Sequence, residues 1–176
     1  MTKIKWALDP MHSEVNFKIK HLMITNVTGG FKSFQAEAET EGDDFTNAFI
    51  SFSADVASIS TNNEQRDGHL KAADFFDAQK FPAIKFQSTK FEKNGDDFTL
   101  EGNLTMKDVT APVKLNVEFG GLAKDSWGNF KAGFTVSGKI NRSDWGLNYN
   151  AALEAGGVVL SDEVKINAEI QMVKQA

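Results

Sequence analysis

The sequence predicts an all-β fold whose antiparallel sheet covers itself, as a closed barrel or a sandwich. Three observations carry this. Apolar and polar residues alternate with a period of two over most of the 176 residues, the pattern of strands with one buried face. One segment, Thr61 to Pro82, replaces the alternation with charge, histidine, arginine and a Phe-Phe pair, and has room for one or two short helices only. Phenylalanine supplies 15 aromatic residues against three Trp and one Tyr, which brings large apolar area with no polar tip to satisfy. Strands of a parallel sheet, buried on both faces, would read as uniform apolar runs. One short helix cannot cover so much antiparallel sheet, so the sheet must close on itself.

The stripes follow in order. Ile4, Trp6 and Leu8 begin the alternation and Asp9-Pro10 interrupts it. Val15, Phe17 and Ile19 alternate with Glu14, Asn16, Lys18 and Lys20, and Gly29-Gly30 is expected to turn the chain. Phe31 to Glu39 reads as a strand with imperfect phase, because Phe31 and Phe34 fall on opposite faces; a bulge between them would repair it. Ala48, Ile50, Phe52, Ala54 and Val56 form the next stripe. Ile84, Phe86 and Ser88 lead into Asn94-Gly95, a strong hairpin signal. The last four stripes are Phe98 to Met106, Val113 to Phe119, Phe130 to Ile140 and Val164 to Met172. Eight or nine strands result, and their short connections favour an up-and-down order. Ala54, Ser88, Gly102, Ala132, Gly138 and Ala168 fall among the apolar faces, as a tapered packed interior or a ligand space would each require.

Within the polar segment, Thr61 with Glu64 fits a capping box and Asp74 is a second candidate cap. Gly68 weakens such a helix by about 1 kcal/mol, and Leu70 is its only large apolar residue. Helical spacing aligns Asn62, Arg66 and His69. These residues either tie the helix to a rim or offer donors to a polar head group. Phe75, Phe76 and Phe81 read as rim packing, or as lining.

Composition removes several functions. A net charge of −5 provides no basic face for nucleic acid and no polybasic membrane anchor. Without cysteine there is neither a disulfide framework nor thiolate chemistry. No apolar run approaches the roughly 20 residues of a membrane helix, so no integral membrane segment is expected. Met1 to Pro10 lacks a signal-peptide core, which points to the cytoplasm; a chain whose leader had been removed would read the same and be periplasmic. His12, His21 and His69 match no metal-ligand spacing, and Ser13 beside His12 would face away from it on a strand. Gly133, Gly138 and Lys139 approach a phosphate loop but are followed by Ile140 inside an alternating strand. Arg142 and Asp144 read as a rim ion pair, with an inward Arg142 as the alternative.

The blocks "WALDPMHSEVNFKIKHL", "VTGGFKSF", "SISTNNEQRDGHLKAADFFDAQKFPAIKFQST", "LEGNLTMKDVTAPVKL", "NRSDWGL" and "DEVKINAEI" resemble, in order and over nearly the whole chain, the signature blocks of the YceI-like family of lipocalin-like lipid- or polyisoprenoid-binding proteins. Asp9-Pro10-x-His12-Ser13 and Arg66-Asp67-x-His69-Leu70 are its most specific motifs here. The resemblance implies a single domain over residues 1–176, an extended eight-stranded antiparallel barrel with a short helical cap. It also implies a tunnel for a long-chain isoprenoid or fatty-acyl amphiphile, no cofactor, and a homodimer. Lys107-Asp108 departs from the glycine-containing turn usual in the family. Phe17, Ile19, Phe52, Phe86, Leu104, Val117, Phe134, Val136 and Ile166, from the apolar faces, are the candidate tunnel residues. His12, His21, Arg66 and His69 are the candidates for the polar end. A non-catalytic carrier is the function expected. The alternatives are an enzyme acting on a lipid or isoprenoid through a His/Arg/Asp cluster at the barrel mouth, and an interaction module with a fully packed interior.

Overall fold

The computed structural model describes residues 3–22, 24–73, 75–148 and 160–175. Its strands are β1 (Lys3–Leu8), β2 (Glu14–His21), β3 (Thr25–Phe31), β4 (Phe34–Glu41), β5 (Asp44–Asp55), β6 (Ile59–Ser60), β7 (Ala83–Asn94), β8 (Asp97–Met106), β9 (Val109–Lys124), β10 (Phe130–Asn141) and β11 (Leu160–Lys174). One helix, α1 (Glu64–Leu70), lies between β6 and β7. Every pairing is antiparallel.

These segments merge into eight long strands. β1 and β2 lie end to end along β11, with Leu8 opposite Met172 and Glu14 opposite Glu169. β3 and β4 continue each other along them, and β6 prolongs β5. Each long strand pairs with its neighbour in sequence, and the first pairs with the last. The fold is therefore a closed eight-stranded up-and-down barrel. Closure leaves no sheet edge exposed, which is how a sheet this long avoids edge-to-edge association.

Three interruptions fall at one level of the wall: Asp9 to Ser13, Lys32-Ser33 and Val56 to Ser58. The second and third bond to each other, the Lys32 amide donating to the Ser58 carbonyl (3.2 Å) and the Asp55 amide to the Ser33 carbonyl (3.0 Å), while the first bonds to β11 through the Asp9 amide and the Gln171 carbonyl (2.9 Å). The Ser33 hydroxyl donates to Asp55 Oδ2 at 2.8 Å. The extra residues at 32–33 restore phase, so Phe31 and Phe34 both pack on the core. Gly29-Gly30, by contrast, does not turn the chain. The two glycines lie inside β3 opposite Phe17 and Asn16, because the Phe17 ring occupies the space a side chain at Gly29 would need.

One end of the barrel is closed by the turns after β4, β7 and β9 and filled by aromatic rings. Phe45 lies 4.8 Å from Trp6 and 5.0 Å from Phe134, ring centre to ring centre, while Phe91 stacks on Phe98 at 4.5 Å. Trp6 is buried and donates its Nε1 hydrogen to Thr40 Oγ1 at 2.9 Å. The opposite end carries α1 and the turn Arg142–Trp145, where buried Trp145 donates to the Leu104 carbonyl at 2.7 Å. Lys107 and Asp108, at the same end, turn the chain without glycine by adopting φ of 50° and 63°. The helix is capped by Asn63, whose Oδ1 accepts from the Arg66 amide at 3.0 Å, and not by Thr61; Asp74 lies outside the described residues. Among the described residues no helix is long and apolar enough to cross a membrane.

Candidate functional site

Between the aromatic plug and the helical cap the barrel encloses a cavity of about 480 Å³. The interior is not filled from end to end, which removes the packed-interior reading. Phe17, Ile19, Phe52, Phe86, Leu104, Val117, Phe134, Val136 and Ile166 all line it. Two of the small interior residues, Ala54 and Ala168, lie on its wall. Others serve packing: Ala132 is fully buried away from the cavity, and Ser88 Oγ accepts from the Ile50 amide at 2.8 Å.

Phe45 and Phe91 also line the cavity, and alternation alone does not place them there. In β5 the residue between Phe45 and Ala48 that resets the phase is Asn47, held at φ 64°. In β7 a register shift between Ser88 and Lys90 does the same for Phe91. Asparagine, whose short side chain tolerates positive φ, is the one sequence signal for the first of these.

Polar groups gather at the capped end. His21, Thr61, Arg66, His69 and Arg142 border the cavity there. Arg66 is exposed and ties the cap to β6: its Nε donates to Thr61 Oγ1 and its Nη2 to the Thr61 carbonyl, both at 2.7 Å. The Thr61 hydroxyl and amide in turn donate to Asp67 Oδ1 at 2.6 and 2.8 Å. Thr61 is thus the acceptor that fixes Arg66. His69 is half-buried and stands edge-on to Phe75 at 5.5 Å. Phe75 and Phe76 line the cavity, and Phe76 meets Phe31 edge-on at 6.5 Å; Phe81 is not among the lining residues.

Of the two positions the sequence leaves open to Arg142, at the rim or inward, the fold takes the inward one. It is 4% exposed, with Nε donating to the Ser161 carbonyl at 2.9 Å and Nη1 donating to the Leu147 carbonyl. Burial draws its pKa below the ordinary arginine value, and Asp162 draws it partly back. The signal was present in the sequence: Arg142 continues the parity of Phe134, Val136, Gly138 and Ile140, all on the inner face.

His12 is not among the residues lining the cavity. The short turn Pro10–His12 carries it to the outside, where its Nδ1 lies 2.7 Å from Asp9 Oδ2. The same Asp9 oxygen accepts from Lys131 Nζ at 2.6 Å, so Asp9 ties the β1–β2 junction to β10. Lys131 first, and then His12 and the Met11 amide, hold the Asp9 carboxyl down at about 2 against the opposing effect of burial. A carboxylate with a lower pKa in the folded than in the unfolded state stabilises the fold above its unfolded pKa and loses that contribution as pH falls. Asp9→Asn is therefore expected to cost about 2 kcal/mol at pH 7. The difference from wild type should shrink between about pH 4 and pH 2. Urea unfolding at pH 7 and pH 3 measures both, and an equal loss at the two pH values would contradict it.

Among the described residues no three His, Cys, Asp or Glu side chains gather as a metal site would require. What the arrangement provides is an apolar lumen with cations and imidazoles at one end.

Residues 6–172 match the YceI-like domain. A UPF0312 protein of Staphylococcus aureus strain N315 is 38% identical over 167 residues, covering 94% of this chain and 95% of its own. A UPF0312 protein of Staphylococcus epidermidis is also 38% identical, covering 95% and 96%. Among solved structures, the Campylobacter jejuni YCEI protein superposes with a TM-score of 0.77 at 34% identity, covering 89% of this chain and 90% of that one. A polyisoprenoid binding domain from Saccharophagus degradans shares the fold, with a TM-score of 0.70 at 17% identity over 97% and 98% of the two chains. An apolar barrel closed by rings at one end and by the Arg66–Thr61–Asp67 cap at the other, with a match across almost its full length, makes this chain a member of the YceI-like domain family.

Proposed function

We propose that the protein is a carrier for a long-chain amphiphile of polyisoprenoid or fatty-acyl type. The chain lies in the lumen and the head group stays at the capped end. The observation that carries this reading is the cavity of about 480 Å³, walled by apolar side chains, with its described cationic side chains, Arg66 and Arg142, at one end. That size lies within the range of about 300–1,000 Å³ usual for small-molecule sites. Each buried methylene contributes about 0.8 kcal/mol, so a long chain supplies most of the affinity and the polar end sets direction. Arg142, Arg66, His69 and His21 are the head-group residues in this reading, and the nine predicted apolar residues hold the chain. The naming of the Saccharophagus degradans domain as polyisoprenoid binding supports the ligand class. The reading assigns no chemical step to the protein.

Native mass spectrometry of the freshly purified protein, followed by organic extraction, tests this directly. A bound amphiphile is expected, together with uptake of added isoprenoid alcohols or fatty acids. Ala168 lies on the cavity wall between Val136 and Val15, so Ala168→Trp should fill the lumen and reduce uptake by a factor of about 100 or more while the barrel stays folded. Uptake by Ala168→Trp equal to wild type would place any bound lipid elsewhere and sink the proposal.

A further inference from the structure

Three of the large side chains on the cavity wall, Phe17, Phe86 and Leu115, lie against glycines of a neighbouring strand. Gly29 stands opposite Phe17, and a Cβ built on it would sit 2.6 Å from Phe17 Cζ and 2.8 Å from Thr61 Cγ2. A Cβ on Gly102 would meet the Phe86 ring, 2.7 Å from Cε2, and would also run into the Gln87 carbonyl. A Cβ on Gly138 would overlap Leu115 Cδ2. All three glycines are on the inner face: Gly29 by its pairing with Phe17, Gly102 between Leu100 and Leu104, Gly138 between Val136 and Ile140. Gly30 is also crowded, but by Asn16 Oδ1 (2.6 Å) and the Val15 carbonyl (2.7 Å) and not by an apolar side chain of the cavity wall, and around Gly133 a Cβ would meet nothing within 4 Å.

A side chain resting in the Cβ space of a glycine runs along the wall instead of across the lumen. We infer that Gly29, Gly102 and Gly138 set the width of the lumen by holding Phe17, Phe86 and Leu115 flat, and so determine which chain cross-section the protein accepts. This rests on the reading that the lumen holds an apolar chain. A methyl-branched chain needs more width than a straight one. Occupying the glycine space therefore discriminates against the branched chain first, because the displaced side chain has only the lumen to enter.

Gly138 is the cleanest site for a test, because its close neighbour is the flexible end of Leu115, whereas Gly102 also faces backbone. The probes are geranylgeraniol, which is methyl-branched, and cis-parinaric acid, which is straight. With Gly138→Ala, affinity for geranylgeraniol is expected to fall about 10-fold and for cis-parinaric acid less than about 3-fold. Gly138→Ala combined with Leu115→Val should recover the branched probe, and Gly29→Ala should repeat the selective loss. Unchanged affinity for both probes, or equal loss of both without recovery in the double variant, would overturn the inference. If the wild-type protein takes up neither probe, the carrier reading itself fails, and crystal structures of wild type and Gly138→Ala then decide on lumen width alone. Leu115 displaced into the lumen supports the inference; Leu115 still lying on the wall refutes it.

Discussion

Phe45→Ala is expected to destabilise the protein by about 3–5 kcal/mol, the usual cost of truncating a fully buried phenylalanine. Phe45 is 3% exposed and contacts Trp6, Phe119 and Phe134 at 4.8, 6.0 and 5.0 Å between ring centres. These rings close the barrel where the strands converge on short turns. Their loss cannot be absorbed by collapse, because each ring is anchored to a different strand of a hydrogen-bonded wall. Truncation also extends the lumen toward the closed end, since Phe45 is part of its lining. The variant should therefore lose stability yet accept longer chains. Urea denaturation gives the first quantity, provided the m-value is unchanged. A series of fatty acids of increasing length gives the second. A stability loss below about 1 kcal/mol would mean that the plug is loosely packed and that Phe45 does not close the barrel.

Arg142→Met is expected to cost about 2–4 kcal/mol and to loosen the capped end. Methionine keeps much of the apolar stem but leaves the Leu147 and Ser161 carbonyls without the guanidinium that donates to them. Leu147 is buried, so water replaces that donor poorly. Arg142→Lys should recover little, because a single ammonium cannot present the guanidinium fork to two carbonyls held in different directions. Urea denaturation tests stability, and hydrogen exchange at residues 142–148 tests whether the loss is local. If Arg142→Met matches wild type in both, the bonds to Leu147 and Ser161 are dispensable. On the carrier reading, the same variant should also bind fatty acids more weakly than the corresponding alcohols. Among the described residues the Arg142 guanidinium is the buried charged group on the cavity wall.

Alternation made the walls legible. The nine apolar residues chosen from it all line the cavity, because a period of two leaves each strand one inner face and closure forces those faces together. Its failures are of one kind. Phe45 precedes the phase-resetting Asn47 and Phe91 follows the shift between Ser88 and Lys90, and a bulge changes parity without leaving a fixed residue pattern. Gly29-Gly30 looked like a turn because glycine is the commonest turn residue, whereas here glycine admits the Phe17 ring. Arg142 was legible by parity and was left between rim and interior because a charged side chain is ordinarily kept at a rim.

The polar segment from Thr61 to Pro82 was recognisable as a cap, since its charged, helix-compatible run breaks the strand alternation on either side of it. Its internal wiring was not. Capping by Asn63 leaves Thr61 free to receive Arg66 and to bind Asp67, a choice set by where β6 ends and not by local propensity. His12 shows the same limit. Its motif is specific, yet the turn that carries it faces outward, and its partners on the wall are Asp9 and, through Asp9, Lys131 from 119 residues further along the chain than His12. Periodicity and burial determined an all-β sheet of eight or nine strands that covers itself, together with its apolar lining; the resemblance of the sequence blocks supplied the family and, with it, the eight-stranded barrel. Only the tertiary structure decided the bulges, the outward His12 and the glycines under Phe17, Phe86 and Leu115, and chose between the two positions open to Arg142. Each of those depends on which distant strand comes to lie alongside, and pairing across a closed barrel is a long-range choice that no local pattern encodes.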